Sequence, residues 1–334
     1  MTVRGHMRAV RISRDHKVEI VEMAVPVMAD DEVLVAPCHC GICGTDLHIM
    51  RHGFPGTNYP VIPGHEFAGH VVAVGRGVAG FREGDFIAAD PNVVCGTCRW
   101  CRSGRPNLCP ELSPIGVGRP GAAAEYVNVP ARNMAVVRES LGGELAALIE
   151  PLACVLHAVE SSRGVRGRTV LVLGGGTMGM LIAIVCKLHG ADRVVLADPV
   201  ATKRAVALKA NIDEAVAPAA LGDSLFDVVF EAAGVGRALE QAMDLVEKTG
   251  VLVQVGVHDE GATVPCNPFG IYEREISIIG SNSCADKFLE AVDVMYDIRD
   301  KAALLIGQSR EVWDFEKAVE DMSAGTTIKT QLRI

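Results

Sequence analysis

Hydrophobic and polar positions along this 334-residue chain follow two regimes. Through residues 1–150, short apolar runs are interrupted by Gly, Pro, Cys and charged positions, the mark of β-strands joined by long loops. Strands are predicted at 32–36, 67–74 and 85–89, each bounded by turn residues. The pattern changes near Glu150-Pro151. Beyond it, apolar strand-like runs alternate with helix-period stretches, as in a parallel α/β sheet. Strands are predicted at 169–173, 193–197, 226–230, 251–257 and 276–280, with helices at 178–189 and 237–246. Helical stretches near 288–296 and 314–322 precede a short terminal strand. The run at 251–257 is apolar enough to be either core or interface. Glycines at 174, 175, 176 and 179 break the most apolar segment, 170–186, so it reads as strand, turn and helix and not as a membrane span.

Composition narrows the classes. The length allows two cores, and 49% hydrophobic with 22% charged residues describes a folded, soluble chain. A net charge of −9 argues against nucleic acid as a partner, because phosphate binding needs a basic face. Arg4, Arg8 and Arg11 interrupt the N-terminal region, leaving no apolar core for export. The eleven cysteines therefore point to metal ligands and buried thiols in a reducing cytoplasm.

Four of those cysteines carry the strongest chemical signal. Cys95, Cys98, Cys101 and Cys109 are spaced C-x2-C-x2-C-x7-C, with Gly96 and Gly104 loosening the backbone. Four thiolates with no spare position make a closed tetrahedral zinc site, which holds a loop in shape. The bacterial iron–sulfur run also ends in Cys-Pro, but its last gap is three residues. Disulfides would suit a secreted chain.

A dinucleotide signal follows the strand at 169–173. Gly174-Gly175-Gly176-Thr177-Met178-Gly179 matches G-x-G-x-x-G at the opening of a helix. Gly174 permits the turn, Gly176 lets backbone approach a pyrophosphate, and Gly179 lets helix and strand pack closely. Asp198 ends the next strand, where a carboxylate accepts from the adenosine ribose and repels a 2′-phosphate. It favours NAD over NADP, although Lys203 and Arg204 lie nearby.

Upstream stand Cys40-Gly41-Ile42-Cys43-Gly44-Thr45-Asp46-Leu47-His48 and Gly64-His65-Glu66. With the four-cysteine lobe, Glu150-Pro151-Leu152 and the glycine turn, in that order over nearly the whole chain, they resemble the zinc-containing medium-chain dehydrogenases. The resemblance implies a GroES-like, β-rich catalytic domain over 1–150, carrying both zinc sites. It implies a Rossmann domain over 151–284 and a return to the first domain over 285–334, with nicotinamide in the cleft between domains. It makes Cys43 and His65 ligands of a catalytic zinc, with Glu66, Glu150 or water completing the shell, and two zinc ions per chain. Cys38, His39 and Cys40 are not expected to be ligands, whereas a thiolate at Cys154, one turn beyond Glu150, would also suit zinc. It adds Thr177, Met178, Lys203, Val255, Gly256 and Val257 to the NAD contacts.

Such a set explains an oxidation. Zinc with one open position acidifies a hydroxyl bound there; it takes water from a pKa of ~15.7 to about 7. Hydride then passes to nicotinamide. Thr45 and His48 are expected to relay the proton.

Glu150 and the run at 267–276 most resemble the sorbitol and polyol branch, whose substrates are small-molecule sugar alcohols or cyclitols. Candidate lining residues are His48, Met50, Arg51, His52, Phe54, Arg119 and Glu150; Met50, where sorbitol enzymes commonly carry an aromatic residue, argues against sorbitol itself, and Arg119 is expected to face water. The rival readings are an L-threonine or amino-alcohol dehydrogenase, a simple alcohol dehydrogenase or aldehyde reductase, and a non-catalytic zinc- and NAD(H)-binding sensor. The resemblance also implies a homodimer or homotetramer.

Overall fold

The computed structural model describes residues 5–325 and 327–334; Arg4, one of the N-terminal charges, lies outside them. In chain order the strands of the N-terminal part are β1 (His6–Ile12), β2 (Val18–Ala24), β3 (Glu32–Gly41), β4 (Glu66–Val74), β5 (Phe86–Ala89), β6 (Val127–Pro130) and β7 (Met134–Val136). Its helices are α1 (Gly44–Arg51), α2 (Arg99–Arg102), α3 (Gly143–Ala146) and α4 (Ile149–Ser161). Then follow β8 (Thr169–Leu173), α5 (Thr177–Leu188), β9 (Arg193–Ala197), α6 (Ala201–Lys209), β10 (Glu214–Val216), β11 (Phe226–Glu231), α7 (Gly236–Asp244), β12 (Val246–Gln254), α8 (Pro268–Arg274) and β13 (Ser277–Gly280). The chain closes with α9 (Phe288–Ala302), β14 (Ile306–Glu311), α10 (Phe315–Ser323) and β15 (Lys329–Arg333).

Two compact units result. The first comprises Met1–Glu150, Phe288–Arg299 and Ile306–Ile334, and the second Pro151–Lys287 with Asp300–Leu305. In the first unit, β1 and β2 pair with each other, and seven strands run in the order β14-β15-β3-β4-β5-β7, with β6 also on β3. β3 alternates Val33 and Val35 into a core with Phe67, Val71, Ile87, Val127 and Val129, which Phe315 and Val319 of α10 complete. Each such fully buried side chain contributes about 1.5–3 kcal/mol of transfer free energy.

In the second unit six parallel strands run β10-β9-β8-β11-β12-β13. Val170, Leu171, Val172 and Leu173 are buried on successive positions of β8, because helices cover both faces of such a sheet. The order reverses between β8 and β11, and a crevice at the carboxyl ends of the strands is where open α/β sheets bind ligands.

Two sequence expectations are redrawn. The predicted strand at 251–257 ends at Gln254, after Val251, Leu252 and Val253 have entered the core, and Val257 is 62% exposed. Val255 and Gly256 instead turn their amides onto the carbonyl of Glu231. Elements rich in charge, α6 and the three-residue β10, lack a predicted counterpart because their apolar periodicity is weak.

Candidate active site and dinucleotide cleft

Strand register assembles the first cluster. Gly41 at the end of β3 pairs with Glu66 at the start of β4, and β15 pairs antiparallel with β3 through Gln331 and Gly41. The turn after β3 therefore carries Cys43 to His65 and Glu66. Ligand atoms of these three residues lie within 4.8 Å of one another. Cys43 occupies the N-cap of α1. Its own N–H donates to Asp46 Oδ2 at 2.9 Å.

Charge in this pocket is mostly negative. Asp46 is fully buried, and its Oδ1 lies 3.8 Å from His65 Nδ1. Neither atom has a hydrogen-bond partner. Burial disfavours a charged His65 ring, yet the Asp46 carboxylate and the Cys43 sulfur outweigh it and hold the ring well above its ordinary pKa. A sulfur, an imidazole and a carboxylate converging in a negative field suit a divalent zinc ion, with Asp46 placed to steady the ring. The donor set fits the metal.

Lys329 is the residue that sequence reading missed. It is 2% exposed on β15, donates to the carbonyl of Ile42 at 3.0 Å, and forms a close ion pair with Glu66. Burial disfavours the ammonium, but the Glu66 and Cys43 charges win and raise its pKa. The signal available was a lysine at a strand position flanked by the apolar and uncharged residues Ile328, Thr330 and Leu332. Gly41 makes room for the pair: a Cβ there would sit 2.0 Å from Glu66 Oε2.

The remaining expected residues fall around this cluster or apart from it. Thr45 Oγ1 lies 4.0 Å from Cys43 Sγ, and His48, half-buried on α1, tilts toward Phe54 with ring centroids 6.3 Å apart. Glu150 opens α4 and is not grouped with Cys43; it belongs to a separate set of donor atoms with Cys154, one turn on. Burial and then the Glu66 charge push its carboxyl up to about 7. Cys38 and Cys40 lie in β3 and donate to the carbonyls of Ala68 and Gly41. Arg119, expected to face water, pairs with Glu32 at 2.9 Å, a carboxylate only 10% exposed.

The four-cysteine lobe closes on itself. Sulfurs of Cys95, Cys98, Cys101 and Cys109 all lie within 4.8 Å of one another, with Cys98–Cys101 and Cys95–Cys109 at 3.5 Å. Backbone amides of Cys98, Cys101 and Glu111 point at the sulfurs of Cys95, Cys98 and Cys109. Amides aimed at Cys95 from Thr97 and Cys98 lower its thiol to about 6, whereas burial leads the rise of Cys101 to about 12. None of the four lobe cysteines is in a disulfide, so the lobe is not a disulfide knot.

In the second unit a cleft of about 980 Å³ opens at the strand ends, lined by Gly174, Gly176, Asp198, Lys203 and Arg237 among others. Gly174 has φ of 106°, and a Cβ on Gly179 would lie 1.8 Å from the Gly174 carbonyl. Thr177 and Met178 begin α5 beside this turn. Buried Asp198 accepts from the amides of Gly175 and Val200, both at 2.7 Å, which fixes its carboxylate at the rim. Arg204 donates to the carbonyls of Asp198 and Pro199 at 2.8 Å. Val255, Gly256 and Val257 follow β12 and do not line this cleft.

Residues 29–139 match the family model described as "Alcohol dehydrogenase GroES-like domain", and residues 177–297 the one described as "Zinc-binding dehydrogenase". D-altritol 5-dehydrogenase of Agrobacterium fabrum is 33% identical, over 86% of this chain and 88% of its own. L-threonine 3-dehydrogenase of Saccharopolyspora erythraea is 34% identical, over 81% and 85%. Among solved structures, a zinc-binding dehydrogenase of Sinorhizobium meliloti bound to NADP is similar with a TM-score of 0.93 and 34% identity, covering 99% of this chain and 100% of that one.

Proposed function

Because this chain belongs to the zinc-containing medium-chain dehydrogenases, we propose that it oxidises a secondary hydroxyl of a polyol, sugar alcohol or cyclitol, with NAD as hydride acceptor. The observation that carries the reading is the convergence of Cys43, His65 and Glu66 within 4.8 Å beside buried Asp46 and Lys329. Cys43 and His65, with Glu66, Glu150 or water, would hold a zinc ion that would supply Lewis acidity to the substrate hydroxyl, and Cys95, Cys98, Cys101 and Cys109 would hold a second that would keep the lobe in shape. The chain's own side chains do the rest. Asp46 orients His65, and Lys329 pairs with Glu66. The Thr45 hydroxyl takes the proton from the substrate oxygen and His48 passes it outward. A polyol needs several polar partners, and His48 and Glu150 supply two of them.

Asp198 supports NAD: its carboxylate meets the ribose hydroxyls and opposes a 2′-phosphate, while Arg204 is engaged with backbone carbonyls. Lys203 stands on the cleft wall, and the similar Sinorhizobium structure is bound to NADP, so both cofactors enter the assay. We place the enzyme in the cytoplasm as a homodimer or homotetramer, with residues 1–150 and 285–334 forming the catalytic domain and 151–284 the NAD domain. No helix among the described residues is long and apolar enough to cross a membrane.

The deciding experiment follows absorbance at the reduced-nicotinamide band over polyols, cyclitols, L-threonine and short alcohols, with NAD or NADP, before and after chelation. Turnover on a polyol, abolished by chelator and restored by zinc, is expected. Threonine as the best substrate would move the assignment to the amino-alcohol branch, and chelator-proof turnover would remove zinc from the reaction. Absence of turnover with every alcohol would favour a zinc- and NAD(H)-binding sensor.

A further inference from the structure

Two thiols outside the proposed zinc sites face each other. Cys154 is half-buried on α4, and Cys284 is fully buried in the segment after β13. Their sulfurs come within 4.8 Å although the residues are far apart in sequence. The backbone holds Cys284 in an unusual way. Ser283 and Ala285, on either side, have φ of 57° and 48°, a left-handed conformation that side chains rarely adopt unless packing imposes it. The loop therefore presents Cys284 to α4 between two residues in left-handed backbone. Cys186 and Cys266 have no such arrangement: one is buried within α5, the other exposed.

We propose that Cys154 and Cys284, whose sulfurs share a donor set with Glu150, form a reversible disulfide when the protein meets a peroxide. Cys154, the more accessible thiol, attacks first: an S–O bond forms, the peroxide O–O bond breaks, and the other oxygen leaves as water or an alcohol. The Cys284 sulfur then displaces the oxygen left on the Cys154 sulfur, which departs as water while the S–S bond forms, so two thiol hydrogens and two electrons have passed to the peroxide. A disulfide needs the sulfurs to close from a separation of no more than 4.8 Å to about 2.05 Å. Zinc ligation of Cys43 and the four lobe cysteines would shield them from the same attack, and exposed Cys266 has no second sulfur grouped with it to close a bond. The bond would staple the loop to α4, the helix that opens on Glu150, and so restrain a residue of the proposed reaction.

The test treats zinc-loaded protein with graded hydrogen peroxide, blocks remaining thiols, and maps peptides by mass spectrometry without reduction. A Cys154–Cys284 peptide lacking two hydrogens is expected before any zinc is released, with loss of turnover that dithiothreitol reverses. Cys284→Ser should keep its basal turnover, give no linked peptide and lose the recovery on reduction. The peptide map does not depend on the dehydrogenase reading, so it stands even if the substrate screen fails. Should the wild-type map show Cys154 passing to sulfinic acid unlinked, or both thiols intact while the lobe cysteines oxidise, the proposal is overturned; that map decides even if Cys284→Ser does not fold.

Discussion

Lys329 and Glu66 illustrate how much one buried charge controls. With Lys329→Met, Glu66 is left as an uncompensated carboxylate at 2% exposure, and breaking a buried pair in this way costs about 3–5 kcal/mol. Urea unfolding should record a loss of that size, and adding Glu66→Gln to it should recover part. Recovery of nothing would mean the lysine acts through packing alone. Thr45 sits at the other extreme, a small hydroxyl beside Cys43 with little to lose in stability. Thr45→Ala is expected to lower kcat by about 10²–10⁴-fold, the range for a lost proton-transfer group, with zinc content by atomic absorption unchanged. Unchanged kcat would take Thr45 out of the relay. Asp198→Ala should weaken NAD by about 10–100-fold, as hydrogen bonds to a charged group are worth about 1.5–3 kcal/mol, and NADP by less. Parallel KM measurements with both cofactors test it. The four lobe cysteines were legible as a group because their spacing brings the sulfurs together, whereas Cys43 and His65, 22 residues apart, stood out only through the motifs they resemble. Lys329 was not, since a lone lysine carries no spacing and its partner lies 263 positions away.

At the level of elements, the turn from β8 into α5 leaves no room for a side chain at Gly179. Gly179→Ala would drive a methyl into the Gly174 carbonyl, where 1.8 Å is available. Overpacking of this kind costs about 1–3 kcal/mol, and NAD binding measured by quenching of protein fluorescence should weaken with it. Strand ends are also tied by carboxylates. Asp227 at the start of β11 accepts from the amide and hydroxyl of Thr169, both at 2.7 Å, across to β8. Burial works against it, but these donors and the nearby Arg168 prevail and lower its pKa below the ordinary 3.8. A depressed folded-state pKa stabilises above the unfolded value and is lost as pH falls through the folded one. The urea midpoint should therefore fall on acidification below about pH 5, and Asp227→Asn should flatten that limb. An equal slope in the variant would exclude the tie. Apolar periodicity made β8, α5 and β9 legible within a residue or so, whereas α6 and β10 carry too much charge to announce themselves.

For the whole molecule, metal removal should separate two roles. Mild chelation is expected to abolish turnover while the thermal midpoint barely moves; exhaustive removal, or Cys98→Ser, should lower the midpoint by opening the lobe. Loss of both together at the mildest treatment would mean one ion serves both purposes. Chain topology explains the order of the motifs. Segments from the first half and the last thirty residues share one sheet, in which β15 lies beside β3, so the C-terminal strand delivers Lys329 to a site begun near residue 43. What the amino-acid order determined alone was local: the alternation that makes strands and helices, the cysteine spacing, the glycine turn and the acid after β9. These are short-range, because periodicity, turn geometry and ligand spacing act over a few residues. Tertiary structure decided which carboxylate stands beside Cys43 and His65, which lysine answers it, where Arg119 spends its charge, and which two distant thiols meet. Those depend on sheet register and on burial, which exist only once strands from separate parts of the chain have paired.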